Sequence, residues 1–264
     1  LVTQRFERIT IAPAYLQVAE SIEQEIMSGR IRPGEPIGTE AALVRQFGVN
    51  RSTVREGLRL LEQSGLLQRD SSRRLRAGLP RRRALAARIS TALALSEVTF
   101  RELWEAIFAL EPAVAELAAE RATAQHLDRL DENLASTERA FGEPERLAGL
   151  DTEFHALVAE AAGNRVVQLA REPGGMLIYR ATTPIFAQVP EAAGRLLAAH
   201  RHVVDAIRAR DRDRAGLWMR RHALDFRKGF VRTGGDLDGP VGLPGAVGPA
   251  QEPGTAQEPR TEEA

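Results

Sequence analysis

The 264-residue sequence contains no cysteine, one lysine (Lys228), and no apolar run that approaches the length of a membrane span. Without thiols there can be no disulfide scaffold, no thiolate zinc finger and no cysteine nucleophile, and a reducing cytoplasm is the expected compartment. A membrane helix needs about 18 or more consecutive apolar residues, and an export signal needs a hydrophobic core near the N-terminus. Neither pattern is present, nor is a solenoid-type internal repeat. What is present is a 43% hydrophobic content, which excludes disorder of the whole chain, and enough length for one large domain or two modest ones.

The formal net charge of zero conceals a gradient. Residues 1–83 carry 15 basic and 9 acidic side chains, residues 84–232 carry 20 and 21, and residues 233–264 carry 1 and 6. A basic first segment is the expected footprint of a phosphate-binding surface. The Gly/Pro break and three arginines at 78–83 mark a linker. We therefore expect a domain over 1–79, a second over 80–232, and a Gly/Pro/Glu-rich tail over 233–264 whose composition cannot offset the entropy of ordering.

In the first segment, Tyr15, Val18, Ala19, Ile22 and Ile26 recur at helical spacing, ending near Gly29. A short helix is predicted from the cap Thr39 to Phe47, and after Gly48-Val49-Asn50 a third helix runs to about Ser64, capped by Asn50 or Ser52. Two short helices joined by a tight turn form a helix-turn-helix. On the second of them Val54, Leu58 and Leu61 face inward, while Arg51, Arg55 and Arg59 form a stripe at i, i+4 and i+8. Asn50, Ser52 and Thr53 lie at its N-terminal end, where recognition helices touch bases and phosphates. Leu66–Arg69 and Arg74–Ala77 can pair as a hairpin wing around Asp70–Arg73. A solvated basic helix face is the competing explanation of the stripe, but it does not account for the whole helix, turn, helix and hairpin succession.

From Ala84 to Val231 apolar residues recur three and four apart, the mark of a helical bundle. Helices are expected at about 84–95, 99–122, 124–140, 144–162, 165–182, 191–210 and 212–231, with Glu172-Pro173-Gly174-Gly175 kinking or splitting the fifth. Asp151 and His155, four apart, project from one helix face. His200 shares a face with Leu196, Leu197, Val203, Val204 and Ile207, and His222 with Trp218, Met219 and Phe226. Both histidines lie 11 residues from Asp211, the expected turn, so an antiparallel hairpin sets them at one level. Three inward histidines and an aspartate suit a divalent zinc, nickel or manganese ion; each taken singly is also explained as a hydrogen-bonded core residue.

Two resemblances follow from these stretches. "SGRIRPGEPIGTEAALVRQFGVNRSTVREGLRLLEQSGLL" resembles the winged helix of GntR-type transcription regulators. That resemblance implies operator contacts from the residues at Asn50, Arg51, Ser52, Thr53 and Arg55, and a wing tip, here Ser71 and Arg73, reaching the minor groove; Arg59 joins the expected contacts from its place on the helix stripe. The sequence departs at Ala41, where an arginine is frequent, and at Ser72, where the wing-tip glycine falls. "FRELWEAIFALEPAVAELAAERAT", "DTEFHALVAEAAGN" and "AAHRHVVDAIRARDRDRAGLWMRRH" are similar to the all-helical FCD effector domain of the FadR subfamily. This second resemblance implies a metal held by Asp151, His155, His200 and His222, beneath a cavity for a carboxylate-bearing metabolite. The arginine that clamps such a carboxylate is replaced by Ile107, so either another cation such as Arg180 takes its place, the metal itself holds the ligand, or the effector is not a simple organic acid; Trp104 is a further effector-binding candidate.

The sequence thus describes a mainly α protein: a winged helix-turn-helix with a small hairpin, then a bundle of about seven helices. The expected function is a non-enzymatic, homodimeric transcription regulator, a repressor, that binds double-stranded DNA at a palindromic operator under metabolite control. The rivals are a DNA-tethered metal hydrolase, for which Glu160 is a loose candidate base, and a DNA-binding protein with a purely structural metal.

Overall fold

The computed structural model describes residues 12–79 and 82–242. The chain divides into two compact units, Leu1–Leu85 and Ala86–Ala264.

In the first unit, α1 (Ala14–Met27) buries Val18, Ala19, Ile22 and Ile26 along one side. Helix α2 (Glu40–Phe47) starts at Thr39, whose hydroxyl oxygen accepts from the Ala42 amide at 3.2 Å. It stops at Gly48, which takes a left-handed φ of 64° and turns the chain toward α3 (Arg51–Ser64). At Gly57 a β-carbon would lie 2.8 Å from the Tyr15 carbonyl oxygen, so glycine is what lets α3 close on α1. Strands β1 (Leu67–Arg69) and β2 (Leu75–Ala77) pair antiparallel, Leu67 opposite Ala77 and Arg69 opposite Leu75. Residues 34–37 extend this hairpin along β2: Gly34 N–H donates to Ala77 O (2.7 Å) and Ile37 N–H to Leu75 O (3.2 Å). Val54, Leu58, Leu61, Leu67 and Leu75 join the α1 residues in one core.

The regular elements of the second unit are helices among the described residues: α4 (Arg82–Leu95), which runs across the division of the chain, α5 (Phe100–Arg121), α6 (Ala124–Arg139), α7 (Pro144–Ala161), α8 (Arg165–Gln188), α9 (Ala192–Arg208) and α10 (Arg212–Arg232). Thr99 and Thr123 each head a reciprocal capping box, with Glu102 and His126 as the returning side chains. His126 is thereby a structural residue. Small residues (Ala115, Ala118, Ala159, Ala206, Ala215) let the helices approach around Phe154, Val158, Val204, Ile207 and Met219. No helix among the described residues is long and apolar enough to cross a membrane.

Two expectations need correction. Helix α8 is not split at Glu172-Pro173-Gly174-Gly175; it continues to Gln188 with Pro173 and Pro184 inside it. Burial of Pro173, Leu177 and Ile185 holds the helix together where local propensity would break it. The segment 234–242 is not structureless either. The Phe100 and Arg101 amides, in the first turn of α5 and without helical acceptors, donate to Gly239 O (3.0 Å) and Leu237 O (2.7 Å). The Arg101 guanidinium grips both oxygens of Asp238 at 2.7 and 3.0 Å, and Val241 is buried. Composition misled here because the order comes from the helix end that the segment completes. The remainder of the expected tail, 243–264, and linker residues Pro80 and Arg81 lie outside the described residues.

Candidate functional site

Of the two capping candidates for α3, Asn50 does the work: its Oδ1 accepts from the Thr53 amide at 2.8 Å and from the Ser52 hydroxyl at 2.7 Å. Arg51, Arg55 and Arg59 are exposed along α3, and the Arg51 guanidinium lies only loosely against Glu40, at 3.4 Å. A groove bordered by Glu40, Ser52, Arg55, Arg59 and Glu62 is closed at one side by Arg69 of β1. Arg69, which sequence reasoning passed over, is held there by Glu62 at 2.7 Å. Arginines and carboxylates alternate along this surface.

The wing is organised by Asp70. Its Oδ1 accepts from the Ser72 hydroxyl (2.6 Å) and from the amides of Ser72 and Arg74 (both 2.9 Å), and its Oδ2 takes the Arg76 guanidinium at 2.7 Å. The Ser72 hydroxyl bond, the Arg76 contact and the backbone donors hold the carboxyl below the usual range. The left-handed residue is Arg73, with φ of 61°, one position after Ser72, where the resemblance places the wing-tip glycine. A non-glycine in that region costs about 1 kcal/mol. Ser71 and Arg73 both stand exposed at the tip.

In the helical unit, α7 supplies Asp151 and His155, α9 His200 and α10 His222. Their ligand atoms all lie within 4.8 Å of one another. Asp151 Oδ1 is 3.3 Å from His200 Nε2, 3.6 Å from His222 Nε2 and 3.8 Å from His155 Nε2, while the His155 and His222 Nε2 atoms are 3.1 Å apart. Ligands about 2.1 Å from one small ion lie about 3.0–3.4 Å apart at octahedral to tetrahedral angles. The spacing fits. Asp151 Oδ1 and His200 Nε2 are also buried with no hydrogen-bond partner of proper geometry among the described residues, as expected of atoms aimed at a shared ion. Phe154 stacks on the His200 ring at 3.6 Å and fixes its plane.

Two residues that the sequence reading missed complete the cluster. Glu111 of α5 is buried; its Oε2 accepts from His155 Nδ1–H at 2.9 Å, and its Oε1 accepts from Arg171 Nε–H of α8 at 2.7 Å. That bond keeps the proton on His155 Nδ1 and leaves the Nε2 lone pair facing the other ligands. Burial pushes the Glu111 carboxyl up, but the Arg171 and His155 charges outweigh it and hold it at about 2. Burial likewise opposes ionisation of Asp151, yet the proximity of His200, His222 and His155 carries it well below the ordinary carboxylate value. Burial drives His200 down to about 3. For His155 burial is outweighed by Glu111 and Asp151, and the imidazole is raised. The sequence did carry a signal. Glu111 falls on the apolar stripe of Leu103, Ile107, Val114 and Ala118, and Arg171 four residues after Val167.

A cavity of about 490 Å³, including its open mouth, lies against Asp151, His155 and His222 and is bordered by Trp104 and Ile107. Arg180, the expected carboxylate partner, is exposed and does not border it; Arg171 does. Glu160, the candidate base of the hydrolase alternative, is half exposed, pairs with Arg129 at 2.5 Å and does not border the cavity. His202 stacks on Trp218 at 3.8 Å, away from the cluster.

A basic winged helix joined to a helical domain with a buried ligand cluster defines a two-domain DNA-binding transcription regulator. Residues 14–77 match the model of the bacterial regulatory proteins of the gntR family, and residues 102–225 match the FCD domain. The chain is 30% identical over 226 residues to the HTH-type transcriptional regulator YcbG of Bacillus subtilis, spanning 83% of this chain and 91% of that protein. It is 29% identical over 212 residues to the HTH-type transcriptional repressor NanR of Cronobacter sakazakii, spanning 78% and 80%. Among solved structures, Streptococcus agalactiae GntR superposes with a TM-score of 0.55 at 24% identity over 81% of this chain and 99% of that one, a likeness of fold. The chain belongs to the gntR family of bacterial regulatory proteins and carries an FCD-type effector domain. Such regulators bind DNA and are not catalysts.

Proposed function

We propose that this chain is a FadR-subfamily repressor that binds a palindromic operator as a homodimer, and that a divalent ion and a small molecule in the FCD domain set its operator affinity. The observation that carries this reading is the convergence of Asp151, His155, His200 and His222 behind a cavity, in the same chain as a winged helix. In this reading Asn50, Arg51, Ser52, Thr53, Arg55 and Arg59 meet the major groove from α3, and Ser71 and Arg73 meet the minor groove from the wing. One such helix reads few base pairs, so two-fold half-sites supply the specificity. Repression is favoured by the name of the relative NanR. When bound, the ion supplies a Lewis-acidic centre at the cavity floor. Three imidazole nitrogens and one carboxylate suit zinc, nickel or manganese. Glu111 would orient His155 toward it, and Trp104 would border the bound molecule. The test is elemental analysis of the purified chain beside operator retardation with and without a chelator. Stoichiometric metal, and a shift in retardation on its removal, are expected; metal-free protein with unchanged retardation would overturn the reading.

A further inference from the structure

The ligand cluster is approached from two sides. The cavity described above reaches Asp151 and His222 past Trp104 and Ile107 of α5 and Arg171 and Ile178 of α8. A second cavity, of about 340 Å³ including its open mouth, reaches the same two residues past Ile185 and Phe186 of α8 and Ala192 and Leu196 of α9. Phe226 of α10 is a wall that both share. Asp151 Oδ1 is buried without a hydrogen-bond partner of proper geometry among the described residues, so the second cavity ends on a carboxylate suited to a cation.

The wall of this second cavity offers little to hold an organic molecule. Most of it is aliphatic or aromatic, and its one hydroxyl, Thr182 Oγ1–H, is committed to Ile178 O at 3.1 Å. Apart from the cluster, its charged residues are Arg195 and Asp225. The Arg195 Nε–H donates to Asp225 Oδ2 at 2.9 Å, and the two side chains are 37% and 43% exposed, which puts the pair at the solvent edge. Asp225 follows His222 by three residues on α10, so the carboxylate and the imidazole lie on one side of that helix. A divalent cation entering here meets one carboxylate at the edge and a second, Asp151, at the inner end. The first cavity instead carries the buried Arg171 guanidinium in its wall. An exposed ion pair adds little to stability, so either partner of Arg195–Asp225 can be replaced with the fold kept.

We propose that the cavity between α8, α9 and α10 is the passage by which a divalent ion enters and leaves the cluster, with Asp225 drawing the cation in and Arg195 holding it back. This rests on the reading of Asp151, His155, His200 and His222 as metal ligands. The test is the rate at which the metal-stripped full chain takes up zinc ion, followed in stopped flow with a zinc-sensitive dye. Asp225→Asn leaves the Arg195 charge unopposed and should slow uptake about threefold to tenfold, whereas Arg195→Ala leaves the Asp225 charge unopposed and should speed it by a similar factor. Arg195→Lys keeps the charge and should stay near the parent rate. These differences should shrink in about 1 M salt, where charges are screened within a few ångströms. Opposite signs separate steering from packing: both changes break the same ion pair, and a loosened structure would move both rates in one direction. Ala192→Leu supplies a steric arm, narrowing the passage without altering its charge, and should slow uptake. The final zinc content should be one ion per chain throughout, since none of these residues is a ligand. Rates in Asp225→Asn and Arg195→Ala that equal the parent's or shift the same way, or parent-like uptake in a folded Ala192→Leu, would each overturn the proposal. A parent chain that binds no zinc defeats the metal reading and this inference together, whereas stoichiometric zinc with unresponsive rates defeats this inference alone.

Discussion

In the winged-helix unit, Arg51, Arg55 and Arg59 stand outside on α3, loosely paired and facing solvent; in the helical unit, Arg171 is sunk against Glu111 and reaches a cluster of three histidines and an aspartate. The same side chain does two different kinds of work. On the surface an arginine costs little to hold and is available to phosphate. In the interior its charge must be matched, and the matching partner becomes part of the site. The surface set should therefore be dispensable for folding and needed for binding DNA, while the buried set should be needed for both folding and response.

The largest effect sharpens that contrast directly. Glu111→Leu, which leaves the Arg171 charge buried and unpaired, should lower stability by about 3–5 kcal/mol, and the Glu111→Leu/Arg171→Leu double variant should recover much of it. Chemical denaturation of the three proteins measures this, and additive losses would show the pair to be uncoupled. Arg55→Ala should by contrast stay within about 0.5 kcal/mol of the parent in the same assay while losing about 1–3 kcal/mol of operator affinity by gel retardation. An unchanged retardation would remove α3 as the reading helix.

Smaller effects follow. Deleting residues 234–264 removes the carbonyls that satisfy the first turn of α5 and the buried Val241, and should cost about 2 kcal/mol, seen as a lower melting temperature. Acid separates the units, because all five histidines and both tryptophans lie in the helical one. His200 holds its proton only below about pH 3 when folded, whereas an unfolded histidine takes one up near pH 6.5. Between those values the unfolded state binds more protons, so the His200 contribution is complete above about pH 6.5 and declines as pH falls toward 3. His155, raised by Glu111 and Asp151, offsets part of this. Asp70 keeps its contribution at the wing until stronger acid, its folded value being lowered. Tryptophan fluorescence should accordingly report loss of the helical unit before far-ultraviolet dichroism is exhausted; coincident transitions would contradict the separation. The smallest effect is at Arg73, where glycine relieves the left-handed backbone. Arg73→Gly should raise stability by about 0.5–1 kcal/mol while weakening operator binding.

How much of this was legible in the sequence divides along the same line. Helix periods, the Gly48 turn, the Thr39 and Asn50 caps and the α3 stripe are local, so α3 and the wing could be drawn from residues 13–78 alone. The four clustered side chains were also within reach, since the i, i+4 pair on α7 and equal distances from Asp211 are sequence geometry. Glu111 and Arg171 lie 60 residues apart on different helices, and no local rule joins them. Each merely interrupts an apolar stripe. Segment 234–242 fails for a related reason: its order is conferred by the unsatisfied amides of α5, more than 130 residues earlier.

The account stands or falls on whether the helical unit's ligand cluster sets what the winged helix does. Fluorescence anisotropy of the full chain on a duplex selected for tight binding, metal-loaded and then stripped by chelator, measures this. The account predicts a change in operator affinity of about fivefold or more, absent in His200→Ala. Identical affinities in the two states, with metal shown to be present in one and gone from the other, would contradict it.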